Sequence, residues 1–405
     1  MKKIVLVLLV LPHILHGQSV DSLISMAIQH NPGLKATALE YEAALYVADQ
    51  VDDFPDPSVN FGVGLLPVQT RLGPQVVKMG VQQALPQKGI LDQRRSLAKS
   101  RAEVKASLDD LQILDIDYNI RIAYAQLVQI SRQQNILNKK LVVLDGLEEL
   151  AKSNLRAGKG NLSDNLLIER NRMEIDDQKE LLEKQKEGFT IMINRWINRP
   201  LLSDVILIDT IINDQNIMAE INFENHPRIA WFQQQKQVSM DEVALSQIEE
   251  KPVIKLGLDY ALVTARDDVE IPKNGRDILM PMGSINIPIN TSKYRAKRQE
   301  EAIRMQSIDE KINDTKIAFE AAVSTAISEI EYAEIAADKI IRLQNITGEV
   351  IKLRRSEYAS EGSRLEELLR LEMDLLEYDI KLSNMDLKKA ISIARLRAFN
   401  SNTLK

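Results

Sequence analysis

The sequence contains an internal duplication that is carried mainly by proline and glycine residues. Seven positions of the first half recur in the second at a constant displacement, which is 195 positions at first, as from 32 to 227, and 202 positions later, as from 86 to 288. The first set is Pro32, Pro57, Gly62, Pro86, Gly146, Gly160 and Asn198, and the second is Pro227, Pro252, Gly257, Pro288, Gly348, Gly362 and Asn400. Because proline and glycine determine where helices and strands begin and end, the pattern predicts two structural repeats. We place them at 18–198 and 225–405, joined by an irregular linker over 199–224.

The first residues predict a secretory signal peptide over 1–17. Lys2 and Lys3 precede an apolar run over 4–14, which is too short to span a bilayer, and Gly17 supplies a small residue for cleavage. The alternative is a short apolar helix. The 405-residue chain has no cysteine, so we expect neither disulfides nor an acylated N-terminal cysteine. A formal charge of −6 without a basic stripe argues against nucleic acid as a partner.

Each repeat is predicted to begin with a helix and to continue with two β-strands. The first helix covers 19–53, with Asp21 as its N-cap. Apolar residues then alternate with small or polar ones over 57–85 and 253–287, which predicts two hairpins, although Pro281 interrupts the last strand. Strands of about 10 residues cross a bilayer when tilted, and we interpret the hairpins as lipid-facing. The alternative is a pair of soluble hairpins packed on the helices.

A very long helix follows each hairpin. No proline occurs over 87–157 or 291–360, and about 70 residues at about 1.5 Å each extend to about 105 Å. Gly146 and Gly348 occur at equivalent points of these helices. Their recurrence favours close approach of a neighbouring helix, and the alternative is that they are tolerated surface glycines. The second helix has a heptad seam that predicts packing on another helix. The seam is Phe319, Val323, Ala326, Ile330, Ala333, Ala337, Ile340, Gln344, Thr347, Ile351, Arg354 and Tyr358.

Glycine-containing turns end both long helices and lead into return helices over 162–198 and 364–399. Ser163 with Asp164 predicts the start of the first return helix, and a Ser363–Glu366 capping box predicts the start of the second. Each long helix and its return helix should therefore form an antiparallel hairpin.

No arrangement of residues in the sequence predicts catalysis or a cofactor. Two of the four histidines fall in the predicted leader, and the others, His30 and His226, lie beside equivalent prolines. Without cysteine or clustered histidine, a transition-metal site is not expected. Gly62-Val63-Gly64 lies in a strand pattern and lacks the Lys-Ser/Thr of a phosphate loop. We therefore expect a protein that is not an enzyme and that binds no cofactor or resident metal.

Several segments together resemble the TolC family of bacterial outer-membrane efflux proteins. They are Asn31-Pro32, Pro55-Asp56-Pro57, the run Gln83-Ala84-Leu85-Pro86-Gln87-Lys88-Gly89 with Arg94 and Arg95 downstream, and the glycine-containing turns. The resemblance covers almost the whole chain after the leader and lies in order, spacing and duplication. The second and third segments most resemble the heavy-metal efflux branch, the CzcC- and CusC-like proteins.

The resemblance implies a mainly α fold with a transmembrane β part. Each chain would contribute four strands and long coiled-coil helices, and a homotrimer would close a twelve-stranded barrel in the outer membrane and an α-helical barrel across the periplasm. Hydrocarbon does not tolerate unpaired strand edges, which independently requires several copies. The implied partners are outer-membrane lipid, a periplasmic adaptor and an inner-membrane pump of the RND type.

The resemblance also implies functional residues at the turns. Asp164 matches an acidic residue that in relatives pairs with an arginine on the neighbouring hairpin, and Arg364 matches that arginine. Glu366 or Glu367 falls near an acidic ring at the entrance, whereas Arg370 occupies the place of a second acidic ring. The turn residues expected to meet the adaptor are Gly158, Gly160, Gly362 and Ser363. The alternative is that Asp164 and Glu366 only cap helices and that Arg364 is solvated.

These observations favour passive conduction from an inner-membrane pump to the exterior, with heavy-metal cations as one candidate cargo. Alternatives within the class are a duct for drug efflux or for type I protein secretion. An alternative from another class is a periplasmic adaptor or a coiled-coil scaffold. An adaptor needs one helical hairpin and no lipid-facing strands, and a scaffold needs neither strands nor a leader.

Overall fold

The computed structural model describes residues 19–208, 223–268, 270–361 and 364–399. The predicted leader and most of the predicted linker lie outside these residues. The elements are, in chain order, α1 Val20–His30, α2 Pro32–Gln50, β1 Ser58–Thr70, β2 Gly73–Leu85, α3 Ile90–Arg156, α4 Leu162–Trp196, α5 Pro227–Glu249, β3 Val253–Val263, β4 Ile278–Asn286, α6 Ser292–Glu361 and α7 Leu365–Arg397. The described residues are thus mainly helical with four strands, as the sequence predicted.

The described residues fall into two compact units. The helical unit is drawn from the segments before residue 36, from 110 to 226 and after 315, and the sheet unit is drawn from 36–109 and 227–315. Helices α3 and α6 contribute residues to both units. None of the described helices combines the length and the apolar character that crossing a membrane would require.

The sheet unit contains a four-stranded antiparallel sheet in which sequential strands are neighbours, in the order β1-β2-β3-β4. The register places Phe61 opposite Met79 and Met79 opposite Tyr260, so the apolar residues of successive strands share one face. The sequence had predicted that Pro281 interrupts the last strand. This prediction is wrong, because Pro281 lies inside β4 and pairs with Leu258 of β3. β4 lies at an edge of the described sheet, where a residue without a backbone N–H is tolerated.

The helical unit is held together by buried seams of long helices. The predicted α6 seam is confirmed, because every member from Phe319 to Tyr358 is buried or half-buried. One cluster joins α3, α4, α6 and α7 near the turns between them, and it includes Leu144, Ile168, Ile351, Leu365 and Leu368. Another joins α1 to α3 and α4. Burial of this kind, more than intrinsic propensity, stabilises helices in proteins.

The helix predicted over 19–53 is two helices that meet at Asn31-Pro32. The Asn31 side chain accepts a hydrogen bond from the backbone N–H of Gly33 at 2.8 Å. Its amide group donates to the carbonyl of Trp196 at the end of α4, at 3.0 Å. Because proline cannot donate a backbone bond, the chain breaks there, and the asparagine side chain anchors the break to another helix.

The cap of α1 also differs from the prediction. Ser19, and not Asp21, is the N-cap, and its hydroxyl accepts from the backbone N–H of Ser22 at 3.2 Å. Asp21 lies in the first turn, where its carboxylate pairs with Arg121 at 2.8 Å. An acidic residue in the first turn stabilises a helix through the helix dipole even when it is not the N-cap. Asp21 has this first-turn role, and the prediction assigned it the role of the cap.

Gly146 and Gly348 do not mark close helix contacts within this chain. A Cβ atom added at either position would meet no heavy atom within 4 Å among the described residues. The reason is visible on α3, whose buried side runs through Leu144 and Leu147 and leaves Gly146 exposed. The prediction of close approach at these glycines is therefore wrong for the single chain.

Candidate functional site

One face of the sheet is a continuous apolar surface that the described part of the chain leaves exposed. Val59 is 73 % exposed and Phe61 is 68 % exposed. The exposed apolar side chains on this face are Val59, Phe61, Val63, Met79, Val81, Ile254, Leu256, Leu258, Leu262, Leu279 and Ile285. Soluble monomers rarely expose a contiguous apolar patch of this extent. The face is therefore built to lie against lipid or another protein.

The opposite face of the sheet is polar and rich in glycine. Lys78 on β2 pairs with Asp259 on β3 at 2.7 Å. A side chain at Gly80 would collide with the Asp259 carboxylate, so this glycine leaves room for the ion pair. Gly62 pairs with Lys78 in the register and lies on the same face. The sheet thus has one apolar face and one face that carries an ion pair and glycines.

The turn between α3 and α4, which we call the first tip, is closed by backbone bonds and a polar cap. Gly158 has a φ of 71°, in the left-handed region that glycine tolerates. The carbonyl of Asn154 accepts from the backbone N–H groups of Lys159 at 2.9 Å and Gly160 at 3.1 Å. The N-cap of α4 is Asn161, whose side chain accepts from the N–H of Ser163 at 3.3 Å. The prediction that Ser163 and Asp164 start this helix is therefore wrong, because α4 begins at Leu162 with Asn161 as its N-cap.

The turn between α6 and α7, the second tip, has a different chemistry. Arg364 is the N-cap of α7, with a φ of 67°, and it makes no side-chain capping bond. Glu367, and not Glu366, therefore occupies the third helical position, so the predicted capping box is not what starts α7. The predicted turn residues Gly362 and Ser363 lie outside the described residues.

Three hydrogen bonds join the two hairpins beside these tips. The Tyr358 hydroxyl of α6 donates to the Asp164 carboxylate of α4 at 3.2 Å. The Asn154 amide donates to the backbone carbonyl of Tyr358 at 3.1 Å, and Lys159 Nζ donates to the carbonyl of Ser360 at 3.2 Å. Tyr358 is 1 % exposed. Burial, reinforced by the neighbouring Asp164 carboxylate, raises the pKa of the Tyr358 hydroxyl to about 12.

Sequence reasoning missed Tyr358 and Asn154 as tip residues. Tyr358 was recognised only as the last member of the α6 seam, although a hydroxyl at a buried seam position needs a partner. That requirement was the available signal. Asp164 and Arg364 make no ion pair with each other in the described part of this chain, and Arg364 is exposed.

The remaining predicted tip residues form a mixed charge pattern. Glu366 and Arg370 are exposed and lie four residues apart on α7, whereas Glu367 pairs with Arg354 at 3.1 Å. The buried Glu372 pairs with Arg355 of α6. Over the described ranges, no three histidine, cysteine, aspartate or glutamate side chains come close enough to hold a metal ion.

The sequence matches no protein-family model and no curated protein, but the fold matches solved structures. The outer-membrane protein VceC of Vibrio cholerae has 14 % identity and a TM-score of 0.73, over 94 % of this chain and 96 % of that one. CusC, described for its folding and transmembrane channel formation, has 14 % identity and a TM-score of 0.73, over 95 % and 92 %. The outer-membrane channel MtrE of Neisseria gonorrhoeae, in its open state, has 15 % identity and a TM-score of 0.72, over 95 % and 89 %.

These similarities extend over almost the full length of both chains in each comparison. The chain therefore has the TolC-like fold of outer-membrane channels that the sequence predicted. At this level of identity the likeness concerns the fold, and function has to be argued from the apolar sheet face and the tips.

Proposed function

We propose that this chain is the outer-membrane channel subunit of a tripartite efflux system, which conducts cargo to the exterior and performs no chemistry itself. The observation that carries the proposal is the sheet, with an exposed apolar face on one side and a glycine-rich polar face on the other. VceC, which has a similar fold, is an outer-membrane protein, and we infer that the sheet of this chain spans the membrane. The protein would then be located in the outer membrane and extend into the periplasm.

Closure of the sheet requires more than one copy of the chain. In the described residues β1 and β4 each have one neighbour, so each leaves a row of backbone groups unpaired. Hydrocarbon does not tolerate such edges, and pairing β4 of one copy with β1 of the next removes them. Three copies would close a twelve-stranded barrel. We therefore propose a homotrimer.

Exposed apolar stripes on the helices support the same assembly. On α4 the stripe is Leu162, Leu166, Met173 and Leu181, and on α6 it is Tyr332, Ile335, Ile346 and Leu353. Their separations are 4, 7 and 8 residues on α4 and 3, 11 and 7 residues on α6. These are sums of steps of three and four residues, which is the spacing of a helix-packing seam. Neighbouring copies of the chain are the occupants that fit both the stripes and the sheet edges.

We place the gate of the channel at the two tips. The Tyr358–Asp164 bond holds the hairpins of one chain together, and Arg364 is exposed and available to the Asp164 carboxylate of a neighbouring copy. Glu366, Glu367 and Arg370 would set the charge of the entrance. The turn residues Gly158, Gly160, Gly362 and Ser363 would meet a periplasmic adaptor, which links the channel to an inner-membrane pump of the RND type.

Heavy-metal cations remain our proposed cargo, on the strength of the Pro-Asp-Pro segment and the run from Gln83 to Gly89. Drug efflux and type I secretion are the alternatives, and transport by cells that express the channel with each class of pump would separate them.

The assembly is tested by extraction of the full chain from the outer-membrane fraction. We expect a heat-modifiable trimer that forms channels in planar bilayers. A soluble monomer would defeat the proposal.

The gate is tested by Arg364→Ala in the same bilayers. Loss of the tip charge should loosen the closed end and raise single-channel conductance, because the closed end limits ion flow. Lys339→Gln, which removes an exposed positive charge on α6 away from the tips, is the control. Unchanged conductance in Arg364→Ala would refute a gating role for this arginine.

A further inference from the structure

We propose that residues 287–295, which comprise the connection from β4 to α6 and the first turn of α6 and which we call the junction segment, bind the phosphate headgroups of anionic glycerophospholipids. The binding site would lie at the membrane surface on the helical side of the sheet. This inference rests on the proposed insertion of the sheet into a membrane. It adds a lipid class, a binding segment and the residues responsible.

The first part of the junction segment prolongs the apolar face. The last paired residue of β4 is Asn286, opposite Val253. Beyond it, Ile287 is 64 % exposed and Ile289 is 95 % exposed, and both continue the alternation that places Ile285 on the apolar face. Apolar side chains therefore continue past the last strand pair, where nothing in the described chain covers them.

Two basic side chains follow at once. Lys293 and Arg295 are exposed, and in the described part of the chain neither forms an ion pair. The Nζ atom of Lys293 lies 4.6 Å from the ring centroid of Tyr294, which is a cation–π contact. Basic and aromatic residues directly after an apolar stretch are typical of a membrane–water interface.

Two other cations in the first turns of α6 are already paired. Arg298 pairs with Glu250 at 2.7 Å, and Lys297 pairs with the buried Glu301 at 2.8 Å. At the other end of the sheet, Arg266 pairs with an acidic residue two positions away, at 2.6 Å. The junction segment thus combines two strongly exposed apolar residues with two basic groups that have no anionic partner in the described structure. Charge complementarity points to an anionic surface.

The internal duplication supplies an independent comparison. The displacement of 202 places Leu91, Asp92 and Gln93 at the positions equivalent to 293–295. Asp92 is acidic and exposed, and Gln93 donates to the backbone carbonyl of Asp241 at 3.2 Å. The aromatic residue and the two basic residues are therefore absent from the equivalent positions of the first repeat.

The test uses the full assembled chain in vesicles. Because the chain has no cysteine, single cysteines introduced at Phe61, Ile289 and Lys311 carry one fluorophore each. The vesicles contain phosphatidylcholine with or without phosphatidylglycerol, and a trace of lipid with a nitroxide on its headgroup or acyl chain. We expect acyl-chain quenching at Phe61→Cys, headgroup quenching at Ile289→Cys and no lipid quenching at Lys311→Cys.

The charges are tested by the phosphatidylglycerol retained by the purified trimer, measured by native mass spectrometry. Each basic residue near an anionic surface strengthens binding about fivefold, so Lys293→Gln with Arg295→Gln should weaken retention about 30-fold at most. The control pair Lys311→Gln with Lys339→Gln removes two exposed charges from the same helix and should leave retention unchanged.

The outcomes separate this inference from the proposed function. Acyl-chain quenching at Phe61→Cys without headgroup quenching at Ile289→Cys would overturn the inference and leave the channel standing. No lipid quenching at Phe61→Cys would overturn both. If the Lys293 and Arg295 variant keeps its phospholipid but loses capture of an acidic protein partner, the segment is a protein contact and the lipid assignment is wrong.

Discussion

The two tips follow the two long helices α3 and α6, but they differ in which residue has a left-handed backbone and in how the next helix is capped. The first tip has glycine where the backbone enters the left-handed region, at Gly158, and a polar cap at Asn161. The second places Arg364 in the same region, and its side chain makes no capping bond. A side chain in that conformation costs about 1–2 kcal/mol. The backbone of the first tip is thus relaxed and that of the second is strained at Arg364. Changing the conformation of the second tip should therefore require less free energy.

The bond between the tips explains how the strained one is held. Tyr358 is buried against the first hairpin and donates to Asp164 across a sequence separation of 194 residues. Strained backbone persists only where the surroundings over-determine it. The relaxed tip therefore serves as the fixed partner of the strained one, and the predictions below test that division from the largest effect to the smallest.

Removal of the Tyr358 side chain should have the largest effect. Tyr358→Ala leaves a cavity in the cluster between the hairpins and should lower the local stability by about 3–5 kcal/mol. Tyr358→Phe keeps the ring and loses the bond to Asp164, at about 1 kcal/mol. Hydrogen exchange of residues 351–358 measures both. Equal effects of the two variants would show that the Tyr358 ring contributes nothing to the stability of the contact between the hairpins.

Gly160→Ala should disturb the first tip next most. A Cβ atom there would lie 2.8 Å from the backbone N of Leu155, and backbone cannot move aside cheaply. We expect a loss of about 1–3 kcal/mol in the exchange of residues 154–161. Gly158→Ala is the matched control, because its Cβ would meet open space and its cost is the conformational one of about 1 kcal/mol. A larger loss at Gly158 would contradict the assignment.

Alkaline pH should weaken the contact between the hairpins. The pKa of Tyr358 is raised to about 12 from 10.0, so folding favours the neutral hydroxyl. Its contribution is complete below pH 10 and is lost as the pH rises through about 12. The difference in tyrosinate absorbance between the wild type and Tyr358→Phe isolates this titration. A midpoint near 10 would show that the hydroxyl is not buried in solution.

Arg364→Gly should give the smallest effect, and a stabilising one. Glycine relieves the left-handed strain but gains freedom in the unfolded chain, which leaves about 0.5–1 kcal/mol in favour of the folded tip. Arg364→Ala removes the same charge without relieving the backbone. Slower exchange over residues 364–368 in Arg364→Gly than in Arg364→Ala is expected. The reverse order would show that the strain is unimportant.

Much of the fold was predictable because its signals are local. The alternation of Val59, Phe61 and Val63 predicted which side chains share a face, and the structure shows them exposed together. The heptad seam of α6 predicted the buried side of a helix. Both patterns repeat within a few residues, so they can be recognised without knowing which element packs against them.

The errors occurred where the outcome depended on neighbours outside the local window. Pro281 was taken as a break, but β4 continues through it, and Pro281 pairs with Leu258 of β3. Gly146 was taken as a contact, but the buried side of α3 faces elsewhere. The cap residues Ser19 and Asn161 were each missed by two or three positions. Caps depend on backbone geometry that several nearby polar residues could provide.

The sequence by itself determined the succession of elements in each repeat, because proline and glycine restrict backbone angles and because apolar periodicity reports which side of an element is buried or lipid-facing. Only the tertiary structure decided which distant groups meet. It brought Tyr358 to Asp164, left Arg364 exposed in a strained turn and left Lys293 and Arg295 without anionic partners in the described chain. Such pairings depend on how helices far apart in the chain are positioned to within an ångström or so, and residue types and spacings do not encode that distance in any short stretch of sequence.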